Sequence, residues 1–217
     1  MKTTRRSFCA TLIGAAHTGL LCSILLLAQP AHADEPSQQA SAVVSDLVEE
    51  IWAIQAQALD AQTRERRIAQ AIVTRTNVDL LSRLSLGRYW RSLSSDDRDA
   101  YQSIFAQSVI GNLANRLEGA VRDLEGPLNR HFVIISSRAT GKKDIFVRSK
   151  VVATDGQPLS VDWRLREAKG SPVIIDLVVE GVSLLVSQRA EFAAVIERSG
   201  VSGLIENLRR NVRDVGS

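Results

Sequence analysis

Ser160-Val161-Asp162-Trp163-Arg164-Leu165-Arg166 alternates apolar and polar residues without a break. Successive side chains of a strand point to opposite faces, so Val161, Trp163 and Leu165 share one face and Asp162, Arg164 and Arg166 the other. The first face suits a core and the second suits water. Residues 132–136 and 145–152 read as strands too, with turns at Gly141-Lys142-Lys143 and Asp155-Gly156. Residues 173–186 are apolar at nearly every position except Asp176, Glu180 and Ser183, which predicts a last strand covered on both faces.

Before Gly126-Pro127 the period is helical. Val43, Val44, Leu47, Val48, Ile51 and Ile54 recur at three- and four-residue spacing and make one apolar helix face. A second helix is predicted over residues 63–75 and a third over 77–86, stopped by Gly87. Ser94-Ser95-Asp96-Asp97 supplies a capping hydroxyl with carboxylates in the first turn. Tyr101, Phe105, Val109, Leu113 and Leu117 then form a stripe that advances four residues at a time. Residues 188–200 and 201–210 close the chain as two helices. Helices, an antiparallel meander and helices again predict an α+β domain.

The N-terminus reads as an address. Lys2, Arg5 and Arg6 precede an apolar stretch densest at residues 20–28, and Ala31-His32-Ala33 is a small-x-small cleavage signal. Residues 1–33 are thus expected to be a cleaved leader, leaving one domain over residues 34–217 in the periplasm. Thr4-Arg5-Arg6-Ser7-Phe8 resembles a twin-arginine signal, and general Sec export is the alternative. Cys9 and Cys22 both fall in the leader, so no disulfide is expected in the mature chain. The leader's three basic residues account for the whole excess of 27 basic over 24 acidic residues. A neutral mature domain has no long-range attraction for nucleic acid.

The groups that catalysis needs are sparse. After residue 33 there is one histidine, His131, and no cysteine, which removes thiol–imidazole chemistry and the usual zinc clusters. His131 reads as a strand-edge surface residue. Glu180-Gly181-Val182-Ser183-Leu184-Leu185 begins like a nucleophile elbow, but Leu185 stands where the second glycine belongs. An enzyme would have to use Asp176 or Tyr101, and Asp176 is expected on the polar side of a strand or paired with an arginine. No metal or cofactor site is expected.

The C-terminal third carries a resemblance. Asp176-Leu177-Val178-Val179-Glu180-Gly181-Val182-Ser183-Leu184, then Gln188-Arg189-Ala190-Glu191-Phe192 and Gly200-Val201-Ser202-Gly203-Leu204-Ile205, resembles the ending of MlaC proteins. Leu86-Gly87-Arg88-Tyr89-Trp90-Arg91-Ser92-Leu93 resembles the family's second signature, and Tyr101 and Phe105 match its following aromatics. The likeness runs from about Val43 to Leu208. Pro172 stands where the family usually has tryptophan, and Leu113 where many members have tyrosine.

The resemblance implies helices on a curved antiparallel sheet of NTF2-like type, with an internal apolar cavity. It implies a non-catalytic carrier with phospholipid as cargo. Such a carrier passes lipid between an outer-membrane lipoprotein and an inner-membrane ABC transporter complex, keeping outer-membrane lipids asymmetric. A related branch, HpnM, shares the ending, so a hopanoid-associated carrier is an alternative, and a non-catalytic envelope scaffold is another. The lipid-contact candidates are Tyr101, Phe105 and Val109 on the stripe, and Val161 and Trp163 on the alternating strand. Val178, Val182 and Leu184 come from the last strand, and Phe192 and Leu204 from the closing helices.

Overall fold

The alternation at residues 160–166 is the middle of a strand. In a computed structural model of the protein, which describes residues 35–152 and 156–215, that strand is β3 (Pro158–Ala168). It pairs with β2 (Asp144–Val152) on one side and β4 (Ser171–Val179) on the other; β1 (Phe132–Thr140) and a two-residue β5 (Val182–Ser183) complete the sheet. The sheet is an antiparallel meander in the order β1-β2-β3-β4-β5. Leu165 pairs with Ile145, Trp163 with Val147 and Val161 with Ser149, and all of these are buried. The opposite face is laced with charge: Arg148 grips Asp162 at 2.8 Å, and Arg166 reaches Asp144 at 2.6 Å. Those guanidiniums hold both carboxyls below the ordinary aspartate range.

Helices cover the apolar face. The expected first helix is α1 (Glu35–Gln55), which buries Ala40, Val44, Leu47, Ile51 and Ile54 against the sheet. Then come α2 (Ala61–Arg75), α3 (Val78–Leu86), a 3-10 turn (Gly87–Ser92), α4 (Ser95–Phe105), a π turn (Ala106–Ile110) and α5 (Gly111–Val121). The starts of α2, α3 and α4 are all capped, the last by Ser94 as the sequence suggests. Asp60 accepts the Thr63 amide at 2.8 Å, Asn77 that of Leu80 at 2.9 Å, and Ser94 that of Asp97 at 3.1 Å. No helix among the described residues is long and apolar enough to cross a membrane. The leader expected at residues 1–33 and its cleavage after Ala33 lie outside the described residues.

The continuous last strand expected over residues 173–186 is three elements. β4 ends at Val179, Glu180 and Gly181 turn with φ of 47° and 81°, and α6 (Leu184–Val215) starts straight after β5. Two consecutive positive φ values make the tight turn whose twist suits a hairpin, and glycine takes the second at no steric cost. The two closing helices are one element broken at Gly200 (φ 68°, ψ −179°).

Two hydrophobic cores result. One joins α1, α2 and α5 to the sheet; the other joins α3, α4 and α6 around Tyr101, Phe105, Phe192 and Leu204. The second signature braces this helical core. Leu86 and Leu93 are buried in it, and Trp90 lies between the guanidiniums of Arg83 and Arg98 at 5.8 and 5.4 Å. Arg189 of the ending donates to the Leu84 carbonyl at 2.9 Å. Its side chain passes so close to Gly87 that a Cβ there would stand 3.2 Å from Arg189 Cδ.

Candidate functional site: a cavity between two cores

Where the cores meet they do not close. A cavity of about 420 Å³ lies between Trp163, Ile174 and Leu177 of the sheet, Leu47 and Ile72 of the first helices, and the α4–α5 and α6 walls. That volume falls in the range of about 300–1,000 Å³ typical of small-molecule sites. Its exposed lining residues, where it meets solvent, are Arg116, Leu184, Glu191 and Asn211.

The aromatic stripe explains how one helix serves both cores. Four-residue spacing overshoots a 3.6-residue turn by about 40° per step, so such a stripe drifts around the helix. It starts at Tyr101 in the helical core and ends at Leu117 against the sheet-side core. Beyond Tyr101, the stripe residues Phe105, Val109, Leu113 and Leu117 line the cavity. The π turn at Ala106–Ile110 sits at the handover.

Of the residues singled out from sequence, Phe105, Val109, Trp163, Leu184, Phe192 and Leu204 line the cavity. The other four lie elsewhere. Tyr101 is fully buried between Phe105 and Phe192, at the start of the drifting stripe, with its hydroxyl 2.7 Å from Ser85 Oγ. Burial raises its phenol pKa well above the ordinary value. Val161 is filled-in core, opposite Ser149 and Val179. Val178 pairs with Asp162 and so takes the charged face of the sheet, while its neighbours Leu177 and Val179 take the apolar face. Val182, just after the turn, is 58% exposed.

Sequence reasoning missed Leu177, Ile174 and Ile175. A register shift in β4 opposite Arg164/Leu165 leaves Ile174, Ile175 and Asp176 buried in succession, so simple alternation misassigns the residues beyond the shift. Leu113 and Leu117 were visible in the stripe and belong to the lining.

Asp176 also borders the cavity, yet its chemistry is spoken for. Its Oδ2 accepts the Ser183 hydroxyl at 2.5 Å and its Oδ1 the Leu185 amide at 2.9 Å. Ser183 Oγ in turn accepts the Val186 amide at 3.0 Å, capping α6. The carboxylate thus sits at the positive end of a helix, while Arg164, its neighbour across the strand pair, is taken by Asp144. Trp163 is likewise satisfied, its indole donating to Ser149 Oγ at 3.0 Å. His131 is half-buried, stacked on Trp52 at 5.2 Å, with Nε2 2.8 Å from the Glu125 carbonyl oxygen, remote from the lining. Among the described residues no three acids, histidines or cysteines gather as a metal site.

Known proteins share this architecture. A phospholipid-binding protein from Ralstonia solanacearum, solved with a phospholipid bound, superposes with a TM-score of 0.66. The two are 21% identical over 84% of this chain and 99% of that one, and the likeness is one of fold. The family model described as MlaC protein matches residues 41–210, which take in every residue that borders the cavity except Asn211. The chain therefore belongs to the MlaC family.

Proposed function

We propose that this protein is a periplasmic phospholipid carrier that works by burying acyl chains and catalyses no reaction. The observation that carries the reading is the largely apolar cavity left between two separately packed cores, with Arg116, Leu184, Glu191 and Asn211 exposed at its border. Exposing one methylene to water costs about 0.8 kcal/mol, so a two-chain lipid crosses an aqueous gap only inside a shielded site. The phospholipid held by the Ralstonia protein supports the same cargo here. The acid and phenol that an enzyme would need serve the fold: Asp176 holds the start of α6, and Tyr101 is buried behind the lining residues Ser85, Phe105 and Phe192 with its hydroxyl on Ser85.

In this reading the carrier moves phospholipid between an outer-membrane lipoprotein and an inner-membrane ABC transporter complex, and so maintains outer-membrane lipid asymmetry. The leader at residues 1–33 would deliver it to the periplasm. A transfer assay between donor and acceptor vesicles tests the carrier step. Phospholipid exchange should rise in proportion to the protein added. Exchange no faster than the protein-free rate overturns the reading.

A further inference from the structure

The cavity has a polar track beside its apolar wall. Ser108, Asn112 and Arg116 all line it and succeed one another at four-residue spacing along the helix. Residues so spaced are neighbours on one helix face. The track runs one position out of phase with the apolar residues Val109, Leu113 and Leu117. Ser108 is 3% exposed, Asn112 is half-buried and Arg116 is exposed, so the track leads from the interior to solvent.

The donors on this track are unspent. A helical serine commonly bonds the carbonyl three or four residues back. Ser82, Ser85 and Ser199 do so here, at 2.8 to 3.0 Å. Ser108 does not: its buried hydroxyl has no partner, and it lies in the π turn. Turns of that kind are frequent at functional sites. Arg116 is the one cation among the described lining residues, and no carboxylate among the described residues meets it. Of the two acids there, Asp176 is held by Ser183 and Leu185, and Glu191 receives the Gln188 amide at 3.2 Å.

We infer that Ser108, Asn112 and Arg116 form the headgroup-proximal half of the lipid site, with Arg116 taking the phosphodiester. Ser108 and Asn112 donate to the ester oxygens beside it. This rests on the lipid reading above. Helical rise puts the Ser108 and Arg116 backbones about 12 Å apart, and an arginine leaning toward the helix N-terminus brings its guanidinium back over Asn112. Ester and phosphate oxygens only accept, and the track offers only what they need: a hydroxyl, an amide and a fork of N–H donors. A neutral polycyclic lipid leaves the guanidinium without a counter-charge. The track therefore favours a phosphate-bearing glycerolipid over a neutral one.

The test loads the full mature chain from vesicles carrying phosphatidylglycerol or, separately, diacylglycerol with the same acyl chains. Inorganic phosphate serves as a third, chain-free probe. The wild type should prefer phosphatidylglycerol. Arg116→Gln should cut that preference about tenfold, and Arg116→Lys should restore most of it. Ser108→Ala should fold normally and weaken phosphatidylglycerol uptake severalfold. Inorganic phosphate should not bind, because an exposed cation alone holds an anion weakly in water. If Arg116→Gln keeps the wild-type preference, or both lipids load equally in the wild type, the track does not read the headgroup while the carrier reading stands. Phosphate binding that Arg116→Gln abolishes makes this a free-anion site and overturns the proposal. Failure of the wild type to load either lipid overturns the proposal and the carrier reading together.

Discussion

The Asp176 carboxylate accepts the Ser183 hydroxyl at 2.5 Å, and this contact joins the last long strand to the helix that succeeds it. With the Leu185 amide on the other carboxylate oxygen, it gives a physical account of the family-like ending. Glu180 and Gly181 make the turn, Ser183 caps α6, and Asp176 receives both the cap and the helix amide.

Ser183→Ala should destabilise the protein by about 1 kcal/mol through loss of the cap. Asp176→Ala should cost about 2–3 kcal/mol, since it removes a charged acceptor from two donors. Because the two residues share one network, the double variant should cost at least about 0.5 kcal/mol less than the sum. Urea unfolding of the four proteins measures this. Simple additivity would show that the pair does not act as a unit.

Leu177 and Val178 separate the two faces of β4. Leu177→Trp should fill the cavity and expel lipid with little loss of stability in the lipid-free form. Val178→Trp, beside Asp162 on the charged face, should leave lipid content near normal. Lipid content by mass spectrometry and melting by circular dichroism report both. An emptied Val178→Trp beside a loaded Leu177→Trp would reverse the assigned faces.

Glu118 is buried between Arg64 at 2.9 Å and Arg122, and joins α5 to α2. Arg122 first and Arg64 second hold its carboxyl below the ordinary glutamate range. A depressed folded-state pKa contributes stability that is present above the unfolded value, near about 4.3, and is lost as pH falls through the folded one. Glu118→Gln should therefore cost about 1–3 kcal/mol at neutral pH, between the values for exposed and buried pairs. Its stability should approach that of the wild type in acid. A gap independent of pH would rule out this ion pair as the cause.

Tyr101→Phe should cost about 0.5–1.5 kcal/mol by losing the Ser85 contact, and should not change lipid content. Loss of lipid transfer with folding and loading intact would return the phenol to consideration as a reactive group.

Much of this architecture was legible in the chain. Strict alternation at residues 160–166 placed β3 and its faces, and the Ser94 capping signal placed the start of α4, whereas the Asp60 cap that starts α2 two residues before the expected 63 went unread. The α4–α5 stripe pointed at the cavity wall, because four-residue spacing can be read without coordinates. Val178 could not be placed, since a register shift in an all-apolar strand leaves no trace in the hydrophobic pattern. The break before α6 left a subtler mark. Asp176, Glu180 and Ser183, the polar exceptions in residues 173–186, are the residues that build the turn and the cap. Ser108, Asn112 and Arg116 escaped notice because a polar stripe beside an apolar one usually faces solvent.

The most direct test of the carrier account is the cargo itself. Protein purified from the periplasm without detergent should yield, on organic extraction and mass spectrometry, phospholipid in near-stoichiometric amount. An extract free of lipid, from protein that also takes up none from vesicles, would contradict the account.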